Sequence, residues 1–203
     1  FVAFHDATLV FHLRNEPFSY LRRVLDNATL GHLYFGGPLA DEAPYARLIA
    51  REFLGFDNRL GDPVPLEYPT AGIGDYRVPA LSVRQPDGST ILDLRYTGHR
   101  VFAGKPALTG LPSTYVQAYE EAETLEIRLA DTPAELEVRL YYTLFADRPI
   151  VVRSARIRNL LKVPQVVECA MSASLDLPDS AWEMVQLSGA WARERHVVER
   201  QLR

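Results

Sequence analysis

The chain has 203 residues, 47% hydrophobic and 24% charged, and its 26 acidic and 22 basic residues give a formal net charge of −4. This composition is typical of a globular protein with its own core, and it excludes collagen-like and disordered chains. The mild acid excess argues against a nucleic-acid-binding protein, which would display a dense positive face. No apolar run reaches the roughly 18 residues that a membrane span needs.

The chain has one cysteine, Cys169. It excludes an intrachain disulfide and a zinc site built from several thiolates, and it favours a reducing compartment, so we expect a cytoplasmic protein. The chain begins at Phe1 without the basic and then apolar profile of a signal peptide. We therefore expect that it starts inside a longer sequence.

In the first half of the chain, apolar and polar residues alternate with the period of two that predicts strands. Short strands are expected at 8–13, 20–25 and 31–35, most simply as a meander, and a hairpin is expected between 81–84 and 91–96 around Asp87 and Gly88. Residues 45–53 have apolar side chains at helical spacing and predict one or two turns of helix. Residues 55–79 are rich in Gly and Pro and predict a long ordered loop.

The second half predicts longer strands at 124–130, 135–145, 150–159 and 166–175, and a last strand at 191–200. In the first of these, Glu126 and Arg128 are expected on a solvated face. Cys169 is expected to be an inert thiol in the core, and core packing is the simplest role for Trp182 and Trp191. The pattern as a whole predicts an all-β fold of antiparallel sheets.

Motifs that carry chemistry are scarce. Residues 72–75 lack the third glycine of a dinucleotide-binding loop, and Ser188 lacks the glycine two residues before it that a nucleophile elbow requires. Aspartates are interpreted as turn residues, and histidines without paired spacing as surface or hydrogen-bonded side chains, so no metal site and no cofactor is expected. These residues are Asp57, Asp62, Asp75, Asp176, Asp179, His5, His12, His32, His99 and His196.

Eight stretches are distinctive when they are read together. They are Ser19-Tyr20, residues 30–36 (LGHLYFG), Glu67-Tyr68-Pro69, 74–80 (GDYRVPA), 110–116 (GLPSTYV), 121–127 (EAETLEI), 172–176 (SASLD) and 187–195 (LSGAWARER). In this order and spacing they resemble the N-terminal region of the bacterial α-galactosidases (melibiases) of glycoside hydrolase family 36. The resemblance spans nearly the whole chain.

The resemblance implies that residues 1–203 are an antiparallel β-supersandwich, truncated at Arg203. In the family this domain precedes a catalytic (β/α)8 barrel and a C-terminal β domain, both absent from this chain. Family members are retaining enzymes that hydrolyse terminal α-galactosyl residues of the melibiose and raffinose type. Their aspartate nucleophile and aspartate acid/base both lie in the barrel. The resemblance therefore implies that this chain has no catalytic residue and is inactive alone.

The resemblance also implies a homotetramer in which a loop of one N-terminal domain reaches a neighbour's active site. Residues 47–59 would correspond to this loop, with Arg51, Phe53, Asp57 and Arg59 as substrate-side contacts. An aromatic ring and charged hydrogen-bonding groups are what a sugar site needs. Two alternatives remain open, a stand-alone carbohydrate-binding module that uses Trp182 and Trp191, and a purely structural module without sugar contact.

Overall fold

The computed structural model describes residues 1–41, 45–48, 65–72, 77–110, 112–177 and 180–202. The strands in these ranges are β1 (Val2–His5), β2 (Val10–Arg14), β3 (Ser19–Val24), β4 (Leu30–Gly36), β5 (Leu81–Arg84), β6 (Arg95–Ala103), β7 (Ala122–Asp131), β8 (Leu136–Phe145), β9 (Val151–Asn159), β10 (Val166–Ala170), β11 (Glu183–Ala190) and β12 (Arg193–Gln201). Two short 3₁₀ helices span Tyr45–Leu48 and Tyr119–Glu121. No helix in the described ranges has the length and apolar character needed to cross a membrane.

Two four-stranded antiparallel sheets form the centre of the molecule. One has the order β1-β2-β3-β4 and the other the order β6-β7-β8-β9, so strands adjacent in sequence are adjacent in space. Two further pairs, β5 with β10 and β11 with β12, form two-stranded sheets. The predicted all-β fold of antiparallel sheets is confirmed, and so is the meander at its start.

The hydrophobic core lies between the two four-stranded sheets. Alternation directs every second side chain of a strand inward, so Phe11 and Leu13 of β2 belong to the same buried cluster as Leu125 and Ile127 of β7 and Val138 of β8. Burial of each such side chain contributes about 1.5–3 kcal/mol to stability. The strands predicted at 124–130, 135–145 and 150–159 correspond closely to β7, β8 and β9.

One face of β7 departs from the expectation. Arg128 is exposed as predicted, but Glu126 is only 1% exposed, so the prediction of a solvated position was wrong for it. Arg100 of the neighbouring strand β6 lies 2.6 Å from the Glu126 carboxylate. The longer Arg100 side chain covers the shorter Glu126 side chain from the neighbouring strand. Alternation within a single strand cannot reveal such cross-strand burial.

The predicted hairpin between 81–84 and 91–96 does not exist. The turn itself is present, because Gly88 has a φ of 88° and its amide donates to the Gln85 carbonyl at 2.9 Å. However, β5 pairs with β10, and Leu92 is buried in the core. Residues 91–94 are not a strand, and the Asp93 amide donates instead to the Asp131 carboxylate at 2.7 Å.

The structure adds a first strand that the alternation did not reveal. β1 pairs with β2 in a register that places Ala3 opposite His12 and His5 opposite Val10. The turn between these strands includes Leu9 in the left-handed region, with a φ of 54°. Because paired residues point to the same face, His5 and His12 become diagonal neighbours on one side of the sheet.

The C-terminal part is more open than predicted. β10 ends at Ala170, so the strand predicted at 166–175 is too long. Cys169 is half-buried on this two-stranded sheet, which makes the prediction of a core thiol wrong. Trp182 is 41% and Trp191 94% exposed, so neither packs in the core. Within the described residues β10 pairs only with β5, and Trp191 lies in the turn between β11 and β12, which pair only with each other.

The β11–β12 hairpin nevertheless confirms a strand near 191–200. The register shift at the end of β11, next to the turn, requires glycine at position 189, where an added Cβ would lie 2.4 Å from the Arg193 carbonyl oxygen. The helical prediction at 45–53 is confirmed in its first turn as the 3₁₀ helix Tyr45–Leu48, and its remaining residues lie outside the described ranges.

Candidate functional site

The four predicted substrate contacts lie outside the described residues. They are Arg51, Phe53, Asp57 and Arg59. The described chain stops at residue 48 and resumes at residue 65, so both ends of the segment that carries these four residues are known. Each end is held by a polar cluster on the β1–β4 sheet, and the two clusters occupy opposite faces of that sheet.

After β4 the chain crosses the outer face of the sheet. Tyr45 is buried there against Val10 and Leu21, in a small apolar cluster separate from the main core. The Leu39 amide donates to the Ser19 hydroxyl at 2.9 Å. These contacts attach Leu39 and Tyr45 to the outer face just before the segment that carries the predicted contacts.

The first polar site, here named the histidine cluster, consists of His5, His12, Asp41, Tyr45 and Ser19. His5 Nε2 and His12 Nδ1 each lie 3.2 Å from Asp41 Oδ1. His12 Nδ1 also lies 3.0 Å from the Tyr45 hydroxyl, and His12 Nε2 lies 2.8 Å from Ser19 Oγ. His12 and Ser19 are fully buried, whereas His5 and Asp41 are partly exposed.

Electrostatics keep His12 and Asp41 of this cluster in different charge states. Burial lowers the pKa of His12, and the opposing hydrogen bond with Asp41 does not cancel that effect. Burial alone would raise the pKa of Asp41, but the hydrogen bond with His12 and the charge of Arg14 outweigh it, so this pKa is lowered. Near neutral pH the pair is therefore a neutral imidazole against a carboxylate.

Ser19, His12 and Asp41 stand in the order of a Ser-His-Asp triad, but the arrangement is closed to substrate. Ser19 is fully buried, and its oxygen already accepts the Leu39 amide. A nucleophilic serine needs an open path to a carbonyl carbon and a nearby oxyanion hole. The geometry therefore suits positioning of Leu39, Asp41 and Tyr45, not acyl transfer.

The second polar site, here named the Glu67 cluster, holds residues 65–67, where the described chain resumes. The His32 amide donates to the Pro65 carbonyl at 2.7 Å, and the Glu67 amide donates to the Leu30 carbonyl at 2.9 Å. Leu66 thereby forms a bridge with Gly31 at the edge of β4. Because neighbouring residues of an extended chain alternate in direction, this register sends the Glu67 side chain between the two sheets.

Four side chains surround the fully buried Glu67 carboxylate. The Tyr20 and Tyr142 hydroxyls donate to it at 2.9 Å, and His32 Nδ1 lies 3.0 Å away. Arg153 lies 3.2 Å from the carboxylate and also donates to the Glu67 carbonyl at 3.2 Å. The ring of donors compensates for the loss of water around a buried charge.

The charge of Glu67 is balanced by two arginines. Burial alone would raise the pKa of Glu67, but the charge of Arg22, the hydrogen bond from His32 and the charge of Arg153 lower it to about 2. The Arg22 guanidinium lies 4.0 Å from the centre of the Tyr20 ring and 3.5 Å from that of Tyr142. The two aromatic faces therefore stabilise its charge.

The acids that sequence reasoning weighed as turn residues form no paired catalytic site. Asp176 lies 3.3 Å from Arg77 Nη1, and Asp179, Asp57, Asp62 and Asp75 lie outside the described residues. A cleft of about 880 Å³ is lined by residues 112–115, Asp147, Arg148 and Ile150 among others. Its one glutamate, Glu121, accepts the amides of Gln117 and Ala118 and so caps a short helix.

The Glu67 cluster could not be identified from spacing, because its members are far apart in sequence. Tyr20 and Arg153, for example, are 133 residues apart, yet Arg153 Nη1 donates to the Tyr20 hydroxyl at 2.8 Å. A partial signal existed. Three of the eight distinctive stretches, those containing Tyr20, His32 and Glu67, converge on the Glu67 cluster.

Comparison with known proteins agrees with this fold. The model of the glycosyl hydrolase family 36 N-terminal domain matches residues 28–203. α-Galactosidase Mel36A of Lactobacillus acidophilus is 40% identical over 205 residues, which cover 97% of this chain and 28% of that protein. The crystal structure of α-galactosidase AgaB from Geobacillus stearothermophilus superposes with a TM-score of 0.89 at 38% identity, covering 100% of this chain and 28% of the other.

A third similar protein has been solved with a sugar bound. It is a variant of α-galactosidase AgaA from Geobacillus stearothermophilus in complex with raffinose, with a TM-score of 0.86 at 39% identity and coverage of 95% of this chain and 28% of that one. The chain thus spans little more than a quarter of the length of the proteins it matches. From the family match and the shared fold at this identity, the chain belongs to the N-terminal domain family of glycoside hydrolase family 36.

Proposed function

We propose that this chain is the non-catalytic N-terminal part of a retaining α-galactosidase that acts on terminal α-galactosyl residues of the melibiose and raffinose type. The observation that carries the proposal is the family match over residues 28–203, together with similarity of the whole chain to α-galactosidases. The histidine cluster and the Glu67 cluster hold segments of the chain in place and do not form a catalytic site. This suits a domain whose catalytic partner lies elsewhere in the protein.

The proposal extends to assembly. The protein forms a cytoplasmic homotetramer, and residues 47–59 complete the substrate pocket of a neighbouring subunit. Two features support this role. The residues flanking the segment are attached to the sheet, through the histidine cluster on one side and the Glu67 cluster on the other. The segment itself contains Arg51, Phe53, Asp57 and Arg59, which are an aromatic ring and charged groups suited to a sugar.

The test is the activity of the intact protein on p-nitrophenyl α-galactoside and raffinose. The double variant Asp57→Ala with Arg59→Ala is expected to lower kcat/KM by about 10²- to 10⁴-fold, because each of the two lost charged hydrogen bonds costs about 1.5–3 kcal/mol. A matched control is Asp147→Ala with Arg148→Ala, an exposed pair on another part of the domain. The control is expected to leave kcat/KM unchanged.

Other outcomes of the same assays would reject parts of the proposal. An unchanged kcat/KM in the first double variant would favour a purely structural domain. Hydrolysis by residues 1–203 alone would contradict the absence of catalytic residues. The strong exposure of Trp191 keeps direct sugar binding as a second candidate function. Trp191→Ala is therefore measured beside the two double variants. Raffinose binding that is weakened in Trp191→Ala but not in the double variants would favour direct sugar binding.

A further inference from the structure

The histidine cluster contains three side chains whose type and placement suit a metal ion. His5, His12 and Asp41 come from β1, from β2 and from the chain after β4, and each directs one ligand atom to the same point. The three atoms, His5 Nε2, His12 Nδ1 and Asp41 Oδ1, all lie within 4.8 Å of one another. We propose that these residues bind one divalent transition-metal ion, with Zn²⁺ as the expected occupant.

The distances between the ligand atoms fit the size of such an ion. Zn²⁺ binds imidazole nitrogen and carboxylate oxygen at about 2.0–2.2 Å, which places neighbouring ligand atoms about 3.3 Å apart in a tetrahedral site. Both histidine nitrogens lie 3.2 Å from Asp41 Oδ1. The third pair, His5 Nε2 and His12 Nδ1, lies within 4.8 Å, so the two imidazoles need to approach each other by at most about 1.5 Å for one ion to contact all three atoms, and water completes its coordination.

The surroundings hold one ligand in the required orientation. When His12 binds metal through Nδ1, its proton resides on Nε2 and is donated to Ser19 Oγ, 2.8 Å away. Ser19 is itself held by the Leu39 amide. A hydrogen bond from the second imidazole nitrogen is the usual device that orients a histidine ligand and raises its basicity.

Packing and access support the same assignment. The Tyr45 ring contacts both imidazoles, with ring centres 5.2 Å from His5 and 5.7 Å from His12. Its hydroxyl lies 3.0 Å from His12 Nδ1, at the border of the site. The side chains of His5 and Asp41 are 30% and 37% exposed, so an ion has a route from solvent to the buried His12.

The location gives the ion a structural role. The three ligands lie on β1, on β2 and at Asp41 in the chain after β4. A bound ion cross-links these elements and so stabilises the outer face from which the segment with the predicted substrate contacts departs. Binding to the folded state raises stability by mass action, so Zn²⁺ should raise the Tm.

The test is metal binding by the intact protein after removal of metals with a chelator. Titration with Co²⁺ should produce the visible absorption of a four- or five-coordinate ion, and Zn²⁺ should displace it. His5→Ala and Asp41→Asn, both at partly exposed positions, should each bind one fewer ion per chain than the unsubstituted protein. His196→Ala, at an exposed position on β12, is the control and should bind the full number.

Two results would overturn the proposal. One is the absence of a Co²⁺ spectrum and of a Zn²⁺-dependent rise in Tm in the unsubstituted protein. The other is equal binding by the unsubstituted protein, His5→Ala and Asp41→Asn. Either result would leave the cluster as a set of hydrogen bonds between histidines and a carboxylate. The readout is independent of hydrolysis, so failure of the proposed galactosidase function would not affect it.

Discussion

The Glu67 cluster and the histidine cluster lie on opposite faces of one sheet, and they differ in their access to water. Ser19 and Tyr20 are adjacent on β3, but Ser19 faces the outer cluster and Tyr20 the inner one. Glu67 is fully buried among four donors, whereas Asp41 keeps 37% of its side chain exposed. The same residue types therefore form a sealed structural site on one face and a site open to ions on the other.

The largest effect is expected from breaking the sealed cluster. Glu67→Gln leaves the buried Arg22 and the largely buried Arg153 without their carboxylate, and loss of one partner from a buried ion pair costs about 3–5 kcal/mol. Chemical denaturation should show this loss. The matched control is Glu137→Gln on β8, whose partner Arg139 lies 2.7 Å away at a partly exposed position. Its cost should stay below about 1 kcal/mol, and equal losses in the two variants would contradict the comparison.

A somewhat smaller effect is expected from acid. The folded protein lowers the pKa of Glu67 from 4.5 to about 2. A lowered carboxyl pKa contributes stability that is fully present above pH 4.5 and is lost as the pH falls toward 2, and the amount here is about 3 kcal/mol. Denaturation at several pH values should show this decline in the unsubstituted protein. The part due to Glu67 should be absent in Glu67→Gln, and an identical decline in both proteins would refute the assignment.

The smallest effect is expected on the outer face. Ser19→Ala removes the acceptor of the Leu39 amide and the partner of His12 Nε2, at an expected cost of about 1–2 kcal/mol. Ser82→Ala on β5 is the control, because the Ser82 hydroxyl makes one exposed hydrogen bond, to Glu168 at 3.3 Å. Its stability should change by less than about 0.5 kcal/mol. If Ser19→Ala lowers the free energy of unfolding as much as Glu67→Gln does, the proposed difference between the two faces of the sheet is contradicted.

Strands were well predicted where a sheet face meets the core. The alternation at 124–130 and 135–145 corresponds to β7 and β8, because burial of one face is itself what selects alternating residues. The same rule failed at Cys169 and Trp191. Cys169 lies on a two-stranded sheet and is only half-buried, and Trp191 lies exposed in the turn between β11 and β12.

The candidate sites were less accessible to prediction. The four proposed sugar contacts rest on resemblance and stay predictions. The spacing of His5 and His12 matches no helical or paired motif, yet the β1–β2 register makes them neighbours. Glu67, in turn, stood out only as part of a distinctive stretch, and nothing local showed that its partners would be Tyr20, Tyr142 and Arg153.

By itself, the sequence determined the fold class and most strand positions, because side-chain alternation is local and needs no knowledge of partners. Only the tertiary structure decided which strands pair, as when β5 joined β10 instead of residues 91–96. It also decided which polar side chains meet. A buried charge such as Glu67 is stable only where donors from distant segments converge, and that convergence depends on the packing of two sheets.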